Sequence, residues 1–264
     1  MNRLLSDTFQ NKEKRFVPYI MAGDPAMDAS IDIALTLQAA GVDALEWGVP
    51  FSDPLADGPV IQAAGQRSLQ QGTTLMSAIA GVKKAREKGL TIPVILFTYI
   101  NPVLAYGTDP VIAAMKAAEI DGLLIPDLPV EESDDIRLSC NRADISLISL
   151  VTLSSTLRME KICRTGQGFL YFVSSLGVTG TRTQFAKEIA ETVQTVKELS
   201  SVPVLIGFGV SKPEHVQYFQ SIADGVIVGS ALVRFIAERH QELTGAVKEN
   251  ALNEIKGFVL ELIS

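Results

Sequence analysis

Short, almost uninterrupted apolar runs recur eight times along this chain. The runs cover residues 16–21, 43–47, 94–98, 122–126, 146–151, 168–173, 204–206 and 225–228. They are too short for buried helices and lack the alternation of half-exposed strands, so they read as parallel strands covered on both faces. Between them, residues 30–40, 75–88, 109–118, 131–142, 156–164, 185–199 and 214–222 read as helices, and Gly41 and Gly89 stop two of them. Residues 231–263 supply one or two closing helices. Residues 1–14 carry Leu4, Leu5 and Phe9 at near-helical spacing, which predicts a short amphipathic helix closing one end of a barrel. Pro18 sits awkwardly inside the first strand segment.

Eight strand and helix units in about 250 residues is the tally of a (β/α)8 TIM barrel, a fold of the α/β class. A doubly wound open sheet would want a glycine fingerprint after its first strand, and Gly23-Asp24-Pro25 is not one. No linker, charge run or low-complexity segment divides the chain, so one domain over residues 1–264 is expected. Hydrophobic residues make up 47%, enough for a sizeable core. The formal charge of −7 argues against non-specific nucleic-acid binding. It leaves a phosphorylated substrate open, because local N–H donors hold phosphate inside an acidic protein. Cys140 and Cys163 form neither a disulfide framework nor a zinc spacing, which points to a reducing cytoplasm. The N-terminus has no signal-peptide core, and no apolar run approaches the roughly 20 residues of a membrane span.

The densest chemistry lies in the stretch 43–59, DALEWGVPFSDPLADGP. Strand side chains alternate, so Leu45 and Trp47 face one way while Ala44 and the carboxylate of Glu46 face the other. After Gly48 come three prolines (Pro50, Pro54, Pro59) and two more acids (Asp53, Asp57). Proline makes this a stiff loop that continues neither strand nor helix. It is expected to run to residue 75. A buried carboxylate needs a partner or a task. One acid near a low-dielectric interior has a raised pKa and trades protons near neutrality; a loop acid nearer water more readily stays ionised.

In this fold the chemistry sits at the C-terminal ends of the strands. The loops there hold Glu46, Asp57, Tyr99, Asn101, Asp127, Gly180, Gly209, Gly229 and Ser230. Gly207-Phe208-Gly209 follows the seventh strand segment, and Gly229-Ser230 follows the eighth and opens a helix. These are the recurrent phosphate positions of the fold, where glycine allows close approach and a helix start offers free N–H groups. No lysine lies in a strand segment, which disfavours imine chemistry. His215 and His240 have no partners at metal-ligand spacing, so no metal site is expected.

The segment LEWGVPFSDPLADGP at 45–59 closely resembles the hallmark of the tryptophan synthase α-subunit family. FVPYIMAGDP at 16–25, PDLPVEES at 126–133, GVTGTR at 177–182, GFGVSKPEHV at 207–216 and GVIVGSALV at 225–233 follow in the family's order. The resemblance implies a lyase that splits indole-3-glycerol phosphate into indole and glyceraldehyde 3-phosphate. It makes Glu46 the general acid–base residue and Asp57 the acid that pairs with the indole N–H. Tyr19, Ile61, Phe97, Tyr171 and Phe208 match substrate-holding positions, and Thr179 matches the loop that closes over Asp57. Gly180, Gly209, Gly229 and Ser230 match the phosphate cradle. Trp47 stands where leucine is usual, and Ser175 where some members carry arginine.

The resemblance also implies a partner, a pyridoxal-phosphate β subunit in an αββα assembly, with no cofactor in this chain. The matching docking surface is 50–55, 101–106 and 126–129. Two other classes stay open: another phosphate-binding barrel enzyme, and a non-catalytic activator of a β subunit. The proline-rich loop and acid pair count against the first, and the intact acids against the second.

Overall fold

The computed structural model describes residues 1–153, 158–174, 182–207 and 209–264, with 182–186 described in backbone alone. Its strands are β1 (Arg15–Met21), β2 (Leu45–Gly48), β3 (Val94–Phe97), β4 (Gly122–Leu124), β5 (Ser146–Thr152), β6 (Leu170–Val173), β7 (Val204–Gly207) and β8 (Gly225–Val228). Each pairs in parallel with the next, and β8 pairs with β1, so the sheet closes into a barrel. Pro18 is accommodated within β1, in register with Val228.

The helices are α1 (Asp7–Gln10), α2 (Met27–Ala39), α3 (Pro59–Gln70), α4 (Leu75–Glu87), α5 (Ile100–Tyr106), α6 (Thr108–Ala117), α7 (Asp134–Ala143), α8 (Met159–Arg164), α9 (Arg182–Leu199), α10 (Pro213–Ile222), α11 (Ser230–Glu238), α12 (His240–Leu243) and α13 (Lys248–Ile263). Two segments expected as loop are helical. Residues 59–70 form α3, because Pro59 stands at the first helical position, where its fixed φ suits a helix and its missing N–H has no partner to lose. Residues 100–106 form α5, and Asp127 Oδ1 accepts its first N–H, from Ile100, at 3.0 Å. The closing segment holds three helices rather than one or two.

Side-chain alternation divides the core into two shells. Leu45, Trp47, Val94, Leu96, Phe172 and Ile206 face the surrounding helices. Val17, Ala44, Ile95, Leu124, Ile148, Leu205 and Ile227 face one another inside the barrel. Leu4 and Phe9 join this inner set and seal its N-terminal end, Phe9 lying 6.2 Å from Phe169 between ring centroids. Leu5, expected on the same face, is exposed because a short 3-10 turn over Arg3–Leu5 rotates it outward. The plug is tied down by buried polar groups. Asn2 Nδ2 donates to Asp121 O and to Ser146 Oγ, and Asp121 Oδ1 accepts the Arg3 N–H at 2.8 Å.

Trp47 lies outside the barrel wall, as alternation requires, and donates from Nε1 to Ala78 O at 3.1 Å. Gly81 on α4 makes room for it: a Cβ there would stand 3.2 Å from the indole and 2.5 Å from Met27 Sδ. The indole is fully buried, so Trp47→Ala is expected to lower unfolding free energy by about 3–5 kcal/mol. Urea unfolding followed by far-UV circular dichroism checks this; a loss below about 1 kcal/mol is the range of a surface position and would contradict it.

Candidate active site

β2 carries Glu46 to the inner face near the C-terminal mouth, in register with Tyr19 on β1 and Ile95 on β3. The carboxyl is 1% exposed, and its Oε1 has no hydrogen-bond partner. Burial pushes its pKa up to about 8. A buried carboxyl without a basic partner is stable only when protonated, so Glu46 rests as an acid near neutral pH.

Two tyrosines flank that layer by the same device. The Tyr19 ring leans across β2 so that a Cβ on Gly48 would overlap its hydroxyl. The Tyr171 ring leans across β7, and a Cβ on Gly207 would overlap its hydroxyl in the same way. Glycine at the next strand's end lets a phenol occupy the barrel mouth. Tyr19 meets Phe97 edge to face, centroids 5.5 Å apart. Tyr19, Met21, Ile61, Ala64 and Val233 form one apolar patch at this mouth, with Val60 and Phe97 packed against it.

Asp57 stands one residue before Gly58, the cap of α3, and is half-buried. Burial raises its pKa to about 6, while a hydrogen bond from the Tyr99 hydroxyl opposes the rise. Tyr99 also accepts the Ala56 N–H at 3.0 Å and packs on Phe51, so one phenol holds the loop at three points. The two acids therefore differ: the interior one stays protonated to higher pH than the loop one. Beside Tyr19, Gly229 caps α11, whose first N–H groups, starting at the exposed Ser230, have no helical acceptors. Gly209 adopts a positive φ of 77° and is exposed.

The structure thus gathers Glu46, Tyr19, Phe97, Ile61 and Tyr171 around one mouth, with Asp57 at the head of α3 and Gly229 beside Tyr19, its own would-be Cβ 3.7 Å from the Tyr19 Cβ. Thr179, Gly180 and Phe208 lie outside the described residues. The sequence reading placed Tyr99 in a strand-end loop but gave it no role. Met21, Ala64 and Val233 were also missed; a strand-end position for Met21 was the available signal, whereas Ala64 and Val233 are brought in only by helix packing. Among the described residues no group of three or more His, Cys, Asp and Glu is placed to hold a metal ion.

A closed parallel barrel that carries two carboxyls, one buried and one half-buried, at the C-terminal ends of its strands has the architecture of a TIM-barrel enzyme. A family model described as tryptophan synthase alpha chain matches residues 5–259. The tryptophan synthase alpha chain of Halalkalibacterium halodurans is 49% identical over 261 residues, covering 98% of each chain. The solved alpha subunit from Legionella pneumophila superposes with a TM-score of 0.88 at 32% identity, over 100% of this chain and 97% of that one. A structure from Pyrococcus furiosus, described by the mutual activation of its tryptophan synthase α2β2 complex, superposes with a TM-score of 0.85 at 35% identity, over 96% of this chain and 98% of that one. The chain belongs to the tryptophan synthase alpha chain family.

Glu46 has a pKa raised above the value it takes in the unfolded chain. The folded state therefore keeps a proton that the unfolded state releases, and stability falls as pH rises from about 4.5 through about 8. Glu46→Gln is expected to raise stability by a few kcal/mol at pH 8.5 and to leave it nearly unchanged at pH 4. Urea midpoints for both chains across that range test this, and parallel curves would refute it.

Proposed function

We propose that this chain is a carbon–carbon lyase that cleaves indole-3-glycerol phosphate to indole and glyceraldehyde 3-phosphate. The observation that carries the reading is Glu46, a buried carboxyl with a free oxygen inside a mouth lined by Tyr19, Ile61 and Phe97. Its support is family membership together with the unequal acid pair.

The indole would lie in the apolar patch, between Tyr19, Ile61, Phe97 and Tyr171, and Phe208 matches a further indole-holding position of the family. Protonated Glu46 gives its proton to the ring carbon that bears the side chain. Ionised Asp57 accepts the indole N–H hydrogen bond and offsets positive charge as it builds on the ring. Glu46, now a carboxylate, takes the proton of the neighbouring glycerol hydroxyl. The C–C bond breaks, the hydroxyl carbon leaves as an aldehyde, and the electron pair returns to the indole ring. Each acid ends in the state in which it began. The phosphate would lie against Gly209, Gly229, the N–H of Ser230 at the head of α11, and Gly180. Thr179 matches the family position on the loop that closes over Asp57.

The whole chain would act as one catalytic domain without a cofactor of its own, in the cytoplasm. Its partner would be a β subunit that holds pyridoxal phosphate, in an αββα assembly. The docking surface at 50–55, 101–106 and 126–129 carries exposed Leu55, Leu104 and Tyr106. Indole would pass to that partner, and closure around the substrate would be coupled reciprocally to the partner's ligand.

Indole release from indole-3-glycerol phosphate by the purified chain, with and without a β subunit, tests the reading. Activity is expected to rise with the partner. Asp57 must be ionised and Glu46 protonated, so the rate should climb with pH through about 6 and fall above about 8. Glu46→Gln should lower kcat by about 10²–10⁴-fold, the usual worth of a general acid–base group. A wild-type chain that folds, stimulates a β subunit and yet releases no indole would instead favour the pure-activator reading.

A further inference from the structure

Asp57 sits at the N-terminal end of α3, and the other end of that helix is fastened to the turn after β1. Arg67 meets the carboxylate of Asp24 with both prongs of its guanidinium, Nε to Oδ1 at 2.8 Å and Nη2 to Oδ2 at 2.7 Å. Asp24 is 4% exposed, so this is a fork-on-carboxylate pair with one partner out of water. The next residue, Ser68, donates from Oγ to Ala22 O. Gly23, at a φ of 77°, lies under this contact; a Cβ there would overlap Thr73 Oγ1 and come within 2.7 Å of Ser68 Oγ.

The turn that receives α3 is itself rigid. Ser30 Oγ accepts the Gly23 N–H at 3.0 Å and donates back to Ala26 O, and Asp24 N donates to Met21 O at 3.3 Å. By contrast, the head of α3 has no side-chain cap. Ile61 and Ala64 pack its flank on Tyr19, Met21 and Val233, while Tyr99 holds the loop at one end and the Asp24–Arg67 contact fastens the other.

We propose that Asp24 and Arg67 are positioning residues for the reaction: their bidentate pair fixes the axis and rotation of α3, and through that helix places Asp57 and Ile61 over the barrel mouth. This rests on the reading of Asp57 as the acid that meets the substrate. Neither residue acts on Asp57 by its charge. From Pro59, the first residue of α3, to Arg67 the helix rises about 12 Å, already beyond the roughly 10 Å screening length at 0.1 M salt. The ionisable groups that do act around Asp57 are Tyr99 from the turn after β3, Tyr19 from β1, and Tyr171 from β6, with Glu46 of β2 facing the same two tyrosines.

The test uses Arg67→Lys, which keeps the charge and loses the fork, and Asp24→Asn, which keeps the shape and loses the charge. Each full-length chain is measured for melting temperature, for kcat and KM of indole release with the β subunit present, and for the Asp57 carboxyl titration by carbon-13 NMR. A loosened α3 lets Asp57 move toward water. Its midpoint should then fall from about 6 toward the ordinary carboxylate range, and kcat should drop about 10- to 100-fold, the effect of a misplacement near 1 Å, with KM changed far less.

An Asp57 midpoint that stays at the wild-type value in both folded variants overturns the proposal. So does a loss of activity that merely follows the folded fraction, since a purely structural pair would act that way. The titration needs no substrate. A wild-type chain inactive on indole-3-glycerol phosphate would therefore defeat the reaction assigned above, while the clamp would still stand or fall by the Asp57 midpoint.

Discussion

Parallel pairing carried around a full circle is the constraint from which the rest of this molecule follows. A closed barrel has no edge, so every strand residue must face either the surrounding helices or the interior. The interior holds few side chains, and here most are Val, Ile and Leu. A carboxyl on that face is shielded from bulk solvent, and Glu46 Oε1 meets no hydrogen-bond partner there. Glu46 is that carboxyl, and its raised pKa results from where β2 runs rather than from any neighbouring charge. The raised pKa and a stability cost thus come from the same burial.

The second acid is governed by different forces. Asp57 belongs to a loop, and loops do not place side chains accurately unless something holds them. Tyr99 holds its carboxyl and the adjacent backbone, Pro59 starts a helix immediately behind it, and Arg67 and Ser68 tie that helix to the turn after β1. The result is one acid set by the barrel and one set by a strapped loop. Their pKa values separate because the two are buried to different depths, and a hydrogen bond from Tyr99 further favours the ionised form of Asp57.

Glycines at the strand ends perform a related service. Gly48 and Gly207 each leave the space that a neighbouring strand's tyrosine fills, which brings phenol rings over the mouth without widening the barrel. Gly81 does the same for Trp47 on the outer surface. In each case a large residue on one element is matched by the absence of a side chain on the next, as close packing demands.

The eightfold alternation, the inward direction of Glu46 and Tyr171, the outward direction of Trp47 and the helix start at Ser230 were all legible in the order of residues. Each depends on a local rule: run length, a period of two, or glycine before a helix. The helices at 59–70 and 100–106 were not, because Pro59 and Pro102 read as loop markers until their helical positions are known. Nor was the exposure of Leu5, which turns on a single 3-10 turn. The Tyr99–Asp57 bond, the Asp24–Arg67 fork and the apolar patch that joins Ile61 on α3 to Val233 on α11 join residues 10 or more positions apart in the chain. Side-chain alternation and turn chemistry are properties of neighbours, so the sequence determined the barrel and which strand residues turn inward. The distances between groups on different strands and helices depend on closure and register, and only the tertiary structure decided those.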